Sequence, residues 1–222
     1  MKVRMISYSK PSREMYDEGL MDVQELIAFC ARVSNPSNQF NTDTSEKLIK
    51  YLINNQHWSP LEMVNACLEI ETTRDIARQI LRHRSFSFQE FSQRYADPTK
   101  DLSFVTREAR LQDTKNRQNS IEIDDSALQR RWADQQEFII KCAKSVYDWA
   151  IVNGIAKEQA RAVLPEGLTA SRMYMNGTLR SWIHFIQVRS GNGTQKENIL
   201  IARECARVIA EIFPMVEGLV SK

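Results

Sequence analysis

The sequence predicts a mixed fold of α-helices and β-strands. Segments with apolar residues at every second position, typical of strands, alternate with segments in which they recur every three to four residues, typical of helices, and there are no internal repeats. Residues 62–71 carry apolar side chains at every second position, which is typical of a half-buried strand. Residues 127–153 and 196–213 carry them at the spacing of long amphipathic helices. At 222 residues the chain is long enough for a sizeable core, in one large domain or two small ones.

The N-terminal elements follow from local patterns. Residues 3–7 predict a short strand, and residues 23–33 show the apolar spacing of a helix. Asp43, with Glu46 three residues later, resembles a capping arrangement and predicts the start of the next helix there.

A further helix is predicted directly after the strand at 62–71, with Thr72 and Asp75 as its cap. Residues three and four apart share one side of a helix. The last turns of this helix therefore deliver three polar side chains to one side, namely Arg78, Gln79 and Arg82.

The C-terminal half begins with a polar segment at about 107–125, which predicts an exposed excursion. The helix at 127–153 follows, and Gly154 is its predicted stop. Its apolar stripe includes Trp132 and Trp149, which are large for a lone small domain. The stripe therefore predicts either a helix-mediated oligomer or ordinary core packing.

Composition narrows the function classes. The 30 Lys and Arg against 28 Asp and Glu give a net charge of +2, too balanced for a protein that coats nucleic acid without sequence preference. Nowhere do about 18 uncharged apolar residues run together. The sequence thus predicts a soluble, cytoplasmic chain without membrane contact.

The cysteines and histidines predict neither a disulfide framework nor a metal site. Cys30, Cys67, Cys142 and Cys205 lie far apart in apolar neighbourhoods, which indicates reduced, buried, structural thiols. The three histidines form no HExxH or other close ligand pair, so no metal is expected.

Residues 82–95, RHRSFSFQEFSQRY, have the composition of a binding site. Arginine, histidine, serine, glutamate and aromatic side chains are crowded into one short segment, and unpaired charges are too costly to bury in a core. Guanidinium groups bind phosphate or carboxylate with paired hydrogen bonds, and aromatic rings stack on a heterocycle or brace the loop. The segment predicts a site for a flat anionic ligand; a solvated basic loop is the alternative.

A second polar constellation lies between the two long helices. It consists of Arg161, Arg172, Arg180, His184 and Arg189. Arg180 and His184 are four residues apart on a predicted helix, so both side chains project to the same side. Each arginine alone is an ordinary surface residue, but two basic clusters together favour a shared anionic pocket.

These residues resemble the family of flavin-dependent thymidylate synthases. Its signature RHRxxSxNxxSxR is matched at Arg82, His83, Arg84, Ser87, Ser92 and Arg94. Further family segments fall in order: HxTPxEH at His57, Ser59, Pro60 and Glu62, ARQ at Arg78 and Gln79, ARxVLP at Arg161 to Pro165, and later positions at Arg180 and Arg189. The chain departs from the family pattern at Gln89, Met63 and Thr178.

The resemblance implies an α+β fold, with helices packed on a small mixed or antiparallel sheet and long helices in the core of a homotetramer. It implies one catalytic domain over residues 1–222 and active sites shared between subunits. It also implies the reaction, in which NADPH reduces bound FAD and a carbon from methylenetetrahydrofolate is transferred to C5 of dUMP, giving dTMP.

The resemblance further implies the site residues. The dUMP-binding residues would be Gln79, Arg82, Glu90, Phe91, Ser92, Gln93, Arg94, Arg161 and Arg189. The FAD-binding residues would be Ser59, Arg82, His83, Arg84, Glu90, Thr178, Arg180 and His184, with His57 near the flavin. Arg189 would be the catalytic residue.

The chemistry of the residues is compatible with that reaction. No cysteine lies near either arginine cluster in the sequence, so the uracil ring has no thiolate nucleophile and must be activated electrostatically. Neither GxGxxG nor a Walker loop is present to hold a dinucleotide in the Rossmann manner. Two alternatives stay open: a nucleic-acid-binding module using arginines and aromatics, and a purely structural helical oligomer.

Overall fold

Strands of the computed structural model, which describes residues 1–219, form one four-stranded sheet and one hairpin. In chain order they are β1 (Lys2–Tyr8), β2 (Asn65–Thr73), β3 (Ser87–Glu90), β4 (Arg110–Gln112), β5 (Ser120–Glu122) and β6 (Ala170–Thr178). The sheet has the order β1-β2-β6-β3, and every pairing in it is antiparallel. The predicted α+β fold is confirmed, with an antiparallel rather than a mixed sheet.

Helices pack around this sheet. They are α1 (Arg13–Asp17), α2 (Val23–Ala31), α3 (Ser45–Asn54), α4 (Arg74–Ile80), α5 (Pro98–Asp101), α6 (Ser126–Val152), α7 (Lys157–Ala160), α8 (Leu179–Arg189) and α9 (Lys196–Ala210). Short 3-10 turns lie at Pro36–Asn38, Ser59–Glu62, Arg161–Val163 and Pro214–Leu219. The predicted strands at 3–7 and 62–71 and the helices at 23–33, 127–153 and 196–213 are confirmed to within a few residues.

The sheet has one apolar and one polar face, as the period-two pattern predicts. On the apolar face, Leu68 and Ile70 of β2 and Met173 of β6 are fully buried. On the other face Arg4 donates to Glu69 at 2.7 Å, so the carboxylate is buried with a charged partner.

The core lies between the apolar sheet face and helices α2, α4, α8 and α9. Trp182 of α8 is fully buried, and its indole N–H donates to the Ala66 carbonyl of β2 at 2.9 Å. Burying such a side chain contributes on the order of 2 kcal/mol or more to the free energy of folding. Helix α9 also belongs to this core through Ile201, Cys205 and Ile209.

Helix α6 has two different faces. Gln136, Tyr147 and two alanines are buried against the chain. Much of the predicted apolar stripe is solvent-exposed, including Phe138, Val146 and Trp149. Cys142 is exposed on this helix too, so the prediction of a buried thiol is wrong there, whereas Cys205 is buried. Ordinary packing inside this chain therefore does not account for the stripe.

Two helix starts differ from their predictions. Thr44, not Asp43, occupies the cap position of α3, and its side chain makes no capping hydrogen bond. Thr73, not Thr72, precedes α4, because Thr72 is the last but one residue of β2. The strand continues further than its alternating apolar pattern, so the cap moves one residue along the chain.

The polar segment at 107–125 differs from a featureless excursion. Strands β4 and β5 pair within it as a hairpin. Arg110 of β4 keeps only 10% of its side chain exposed and pairs with Glu197 at the start of α9. Pairing with the Glu197 carboxylate permits the burial of this charge. The two residues are 87 positions apart, so no local sequence pattern indicates the pair. Across residues 1–219, no helix has the length and apolar character needed to cross a membrane.

Candidate functional site

Arg189, the last residue of α8, lies against the segment that follows α4. Its Nε donates to Nε2 of His83 at 2.8 Å, and its Nη2 donates to the backbone carbonyl of Gln79 at 3.2 Å. Because His83 Nε2 accepts, the proton of the neutral imidazole lies on Nδ1. The guanidinium is thus held in one orientation by two acceptors that carry no formal charge.

Aromatic packing holds the segment around His83 in place. The His83 ring meets Phe185 of α8 edge-on at 5.0 Å, and Phe86 meets Trp182 at 4.9 Å. Phe86 lies directly over Gly177 of β6, where a Cβ would collide with its ring. Phe86 therefore braces the loop, which is one of the two roles that the sequence suggested for these aromatics.

The surroundings of His83 are strongly positive. Burial, followed by the charges of Arg189, His184 and Arg82, lowers the pKa of His83 from its ordinary value of 6.5 to about 4. Burial, with a contribution from Arg82, also lowers the pKa of Arg189. Within residues 1–219, Arg82, Arg84 and Arg189 form no ion pair with a carboxylate, so the cluster suits an anionic ligand.

The neutral state of His83 predicts a loss of stability in acid. Because its folded pKa lies below its unfolded value, the unfolded chain binds a proton that the folded protein does not bind between about pH 6.5 and pH 4. Allowing for partial solvent screening, the free energy of unfolding should fall by about 1 kcal/mol more in the wild type than in His83→Gln between about pH 7 and pH 5. Urea unfolding at the two pH values measures this difference; equal losses in the two proteins would contradict it.

A second part of the site is a cavity of about 420 Å³ at the start of α8. Its lining comprises Trp58, Glu62, Ser85, Arg180, Ser181, His184 and Gln187. Arg180 and His184 share this cavity, as their four-residue spacing predicts, and Arg180 pairs with Glu62. Thr178 is the N-cap of α8, accepting a hydrogen bond from the Ser181 N–H at 3.2 Å.

Ser59 and His57 lie at the edge of this region. Ser59 begins the 3-10 turn that ends at Glu62, and both Ser59 and His57 are exposed. The His57 ring meets Tyr51 edge-on at 5.9 Å.

A third part of the site gathers predicted phosphate-binding residues. Ser92 and Arg94 line a cavity of about 470 Å³ together with Tyr95, Ala156, Lys157 and Glu158. Arg94 Nε lies 3.3 Å from a carboxylate oxygen of Glu158, and Arg161 Nε donates to the Glu158 carbonyl at 3.3 Å. The structure therefore brings Arg94 and Arg161 together, although 67 positions separate them in the sequence.

The remaining predicted dUMP-binding residues between positions 90 and 94, namely Glu90, Phe91 and Gln93, are less exposed than Ser92 and Arg94. Glu90 accepts from the Ser171 hydroxyl at 2.7 Å and lies 3.8 Å from Arg74. The Phe91 N–H donates to the Arg172 carbonyl at 2.8 Å, which continues the pairing of β3 with β6. Gln93 is buried, and its Nε2 has no partner within the described residues.

The cavities at Arg180 and at Arg94 lie at opposite ends of β6. Thr178, at one end, leads into α8, whereas β3 runs antiparallel and leaves β6 near Arg172 before it reaches Ser92. The nine residues of β6 span about 25 Å at the usual rise per residue. Within residues 1–219, the two cavities therefore lie at separate ends of this strand.

Sequence reasoning missed the residues that hold Gln79. Its Nε2 donates to Gln195 Oε1 at 2.8 Å, and its Oε1 accepts from Asn198 at 3.1 Å. It also missed Glu158 and Lys157 beside Arg94. No spacing in the sequence signals these contacts, because Gln195 follows Gln79 by 116 positions.

Comparison with known proteins decides the family. The family model Thy1, described as "Thymidylate synthase complementing protein", matches residues 19–215. The chain belongs to the Thy1 family. Thy1 relatives include a "Probable flavin-dependent thymidylate synthase" of Paramecium bursaria Chlorella virus 1, 45% identical over 97% of each chain. A "Flavin-dependent thymidylate synthase" of Synechocystis sp. is 46% identical, again over 97% of each chain. These relatives confirm the resemblance seen in the motifs.

The Thy1 fold is also found among solved structures. A UMP/dUMP methylase, PolB from Streptomyces cacaoi, superposes with a TM-score of 0.81 over 98% of this chain and 93% of its own. Its sequence identity is 21%, so the match shows the shared fold alone.

Proposed function

We propose that this chain is a flavin-dependent thymidylate synthase, an enzyme that converts dUMP to dTMP by reductive methylation. The observation that carries the proposal is the arrangement of Arg189, whose guanidinium is held by neutral His83 and a backbone carbonyl. Within residues 1–219 this guanidinium pairs with no carboxylate. Relatives that carry this name cover nearly the whole chain. The same names give no support to the nucleic-acid-binding alternative.

The nucleotide would bind through both ends of its structure. Ser92, Arg94 and Arg161 offer a hydroxyl and two guanidinium groups for the phosphate. Arg189 would contact the uracil edge and stabilise negative charge that develops on the ring as C5 becomes nucleophilic. The remaining contacts are proposed for Gln79, Arg82, Glu90, Phe91 and Gln93.

The α8 cavity has polar groups of the kinds that bind a flavin nucleotide. Its lining offers a guanidinium, an imidazole and hydroxyl groups to heterocycle edges, and the exposed Arg82 and Arg84 nearby suit a pyrophosphate. We assign FAD to this cavity and to Ser59, His83, Glu90, Thr178, Arg180 and His184. When bound, the flavin supplies the hydride that completes the methyl group. NADPH as reductant and methylenetetrahydrofolate as carbon donor belong to the same proposal, which needs no metal.

A thiol nucleophile has no place in this site. Within residues 1–219, no cysteine lines the cavities at Arg180 or Arg94, and the Cys205 thiol is buried with its pKa raised by that burial. The ring activation that a thiolate gives by adding to C6 is therefore assigned to the positive field of Arg189 and Arg82.

We further propose a homotetramer with shared active sites. The two cavities lie at opposite ends of β6, which favours an arrangement in which a second chain brings its Ser92, Arg94 and Arg161 to an α8 cavity. Exposed Phe138, Cys142, Val146 and Trp149 offer the contact surface, because at 100° per residue they lie on one face of α6, away from its buried face. Coverage of this face by other copies would exclude its apolar area from water.

A charge on that face should dissociate the oligomer. In Phe138→Asp or Val146→Asp, burying a carboxylate against apolar side chains costs several kcal/mol, so the tetramer mass should fall to that of dimers or monomers, with loss of bound FAD. Light scattering after size exclusion measures the mass. Lys141→Glu, on the exposed polar face of the same helix, is the matched control and should stay tetrameric. If both Phe138→Asp and Val146→Asp left the protein tetrameric, the assignment of this face of α6 to the interface would be wrong.

The function is tested with the purified chain, FAD, NADPH, methylenetetrahydrofolate and dUMP. We expect flavin absorption bands in the protein and dTMP as a product that depends on all components. A flavin-free protein that makes no dTMP after reconstitution with FAD, and that binds nucleic acid with strong salt dependence, would instead support the nucleic-acid-binding alternative.

A further inference from the structure

A chain of hydrogen-bonded amides leads from the active-site arginine to the β4–β5 hairpin. Beside Arg189, Gln79 Nε2 donates to Gln195 Oε1 at 2.8 Å, and Gln195 Nε2 donates to Glu197 Oε2 at 2.9 Å. Arg110 of β4 then pairs with the second oxygen of Glu197. Both charged side chains are mostly buried, with 10% and 15% exposed, so the pair is a fixed end point of the chain.

The end point determines which way each amide faces. An ionised carboxylate accepts hydrogen bonds and donates none, so Glu197 requires the NH₂ group of Gln195 on its side. The Gln195 oxygen then faces Gln79, which must present its own NH₂ group there. The Gln79 oxygen consequently faces buried Asn198, whose Nδ2 donates to it at 3.1 Å. One N–H and one oxygen lone pair of Gln79 remain for a ligand. Their directions are set by the hydrogen bonds that Gln79 makes with Gln195 and Asn198.

We propose that Glu197, held by Arg110, is a positioning residue for the nucleotide site, because it sets the donor and acceptor directions of Gln79 through Gln195. This inference rests on the proposed function, in which Gln79 contacts dUMP. The hairpin thereby has a role in substrate recognition, although Arg110 does not touch the substrate.

The substitution Glu197→Gln should reverse the direction in which the NH₂ and oxygen groups of these amides face. The new side chain has a single oxygen, and the buried Arg110 guanidinium requires it as an acceptor. The new NH₂ group then faces Gln195, and both glutamines must turn over. Asn198 turns with them, because its Oδ1, which has no partner within the described residues, can accept from the turned Gln79. Gln79 then offers the ligand an acceptor where it offered a donor. We expect the dUMP dissociation constant of the FAD-loaded protein to rise about tenfold or more, because one hydrogen bond becomes a repulsive contact.

Arg110→Met distinguishes this mechanism from a loss of packing. Added to Glu197→Gln, it removes the cation that attracts the amide oxygen, so the double variant should bind dUMP more tightly than Glu197→Gln alone. A purely structural role predicts the opposite order, because the double variant lacks both members of the buried pair. Lys196→Met is the matched control: it removes the neighbouring contacts of α9 with Glu108 and Glu122 of the hairpin region but leaves the amide chain intact, and it should bind dUMP within about twofold of wild type.

The experiment measures dUMP binding by calorimetry on the FAD-loaded proteins. Gln195→Met, which breaks the amide chain while keeping the Arg110–Glu197 pair, replaces Glu197→Gln if that variant does not fold, and should weaken binding about tenfold. Variants at 195 or 197 that bind like wild type, or a double variant no tighter than Glu197→Gln, would overturn the inference. A wild-type protein that binds FAD but not dUMP would reject the proposed function itself.

Discussion

Arg189→Lys should lower the rate of dTMP formation about 100-fold or more while leaving the flavin and most dUMP binding in place. Lysine keeps the positive charge, but a single ammonium cannot reproduce the two directed contacts, Nε to His83 and Nη2 to the Gln79 carbonyl. The charge is then no longer held where the uracil ring becomes negative. An interaction that is stronger in the transition state than in the ground state affects the rate more than the affinity.

The measurement is a single turnover with pre-reduced flavin and saturating dUMP and methylenetetrahydrofolate. We expect dTMP formation to slow. In a separate assay that starts from oxidised flavin, NADPH oxidation should continue, because it needs no activated uracil. Arg207→Lys is the matched control, since Arg207 lies on the exposed side of α9 and pairs with Glu204 outside the site. A wild-type rate in Arg189→Lys would leave Arg189 as a binding residue only.

Arg94→Ala should weaken dUMP binding by about 2 kcal/mol or more, which corresponds to roughly 30-fold, because a charge-assisted contact to phosphate is lost. Arg94 is largely exposed and pairs with Glu158, which is also about half exposed, so its removal leaves no buried charge without a partner. Folding and FAD loading should therefore survive.

Calorimetric titration with dUMP and with deoxyuridine separates the phosphate contribution from the rest of the nucleotide. The loss should appear with dUMP and be small with deoxyuridine, which lacks the phosphate. Arg13→Ala, an exposed arginine on α1, controls for the loss of one surface charge. Unchanged dUMP affinity with a lost flavin would show that Arg94 belongs to the cofactor site instead.

The sequence predicted those features that depend on residues close together in the chain. The strand at β2 was recognisable because its apolar side chains alternate, and α6 and α9 because theirs recur at helical spacing. The arginine-rich motif after α4 was recognisable because such a density of charge is too costly to bury without a ligand or a partner. The family match then confirmed the resemblance that this motif carries.

The site geometry was less accessible. The sequence grouped Arg180 with His184 correctly, because both lie on one helix. It did not show that Arg94 lies at the far end of β6 from them, since that depends on strand register. It also misjudged Arg110 as part of an exposed segment, because Glu197, the partner that permits its burial, comes from a distant helix.

Local sequence by itself determined the types of most elements, the basic character of the site and the membership of the Thy1 family. Tertiary structure alone decided which polar groups meet: Arg189 with His83, Arg94 with Glu158, and Gln79 with Gln195 and Asn198. The physical reason is range. Periodicity and capping act over a few residues, whereas hydrogen bonds and ion pairs between distant segments form only once the sheet and helices have set the path of the chain.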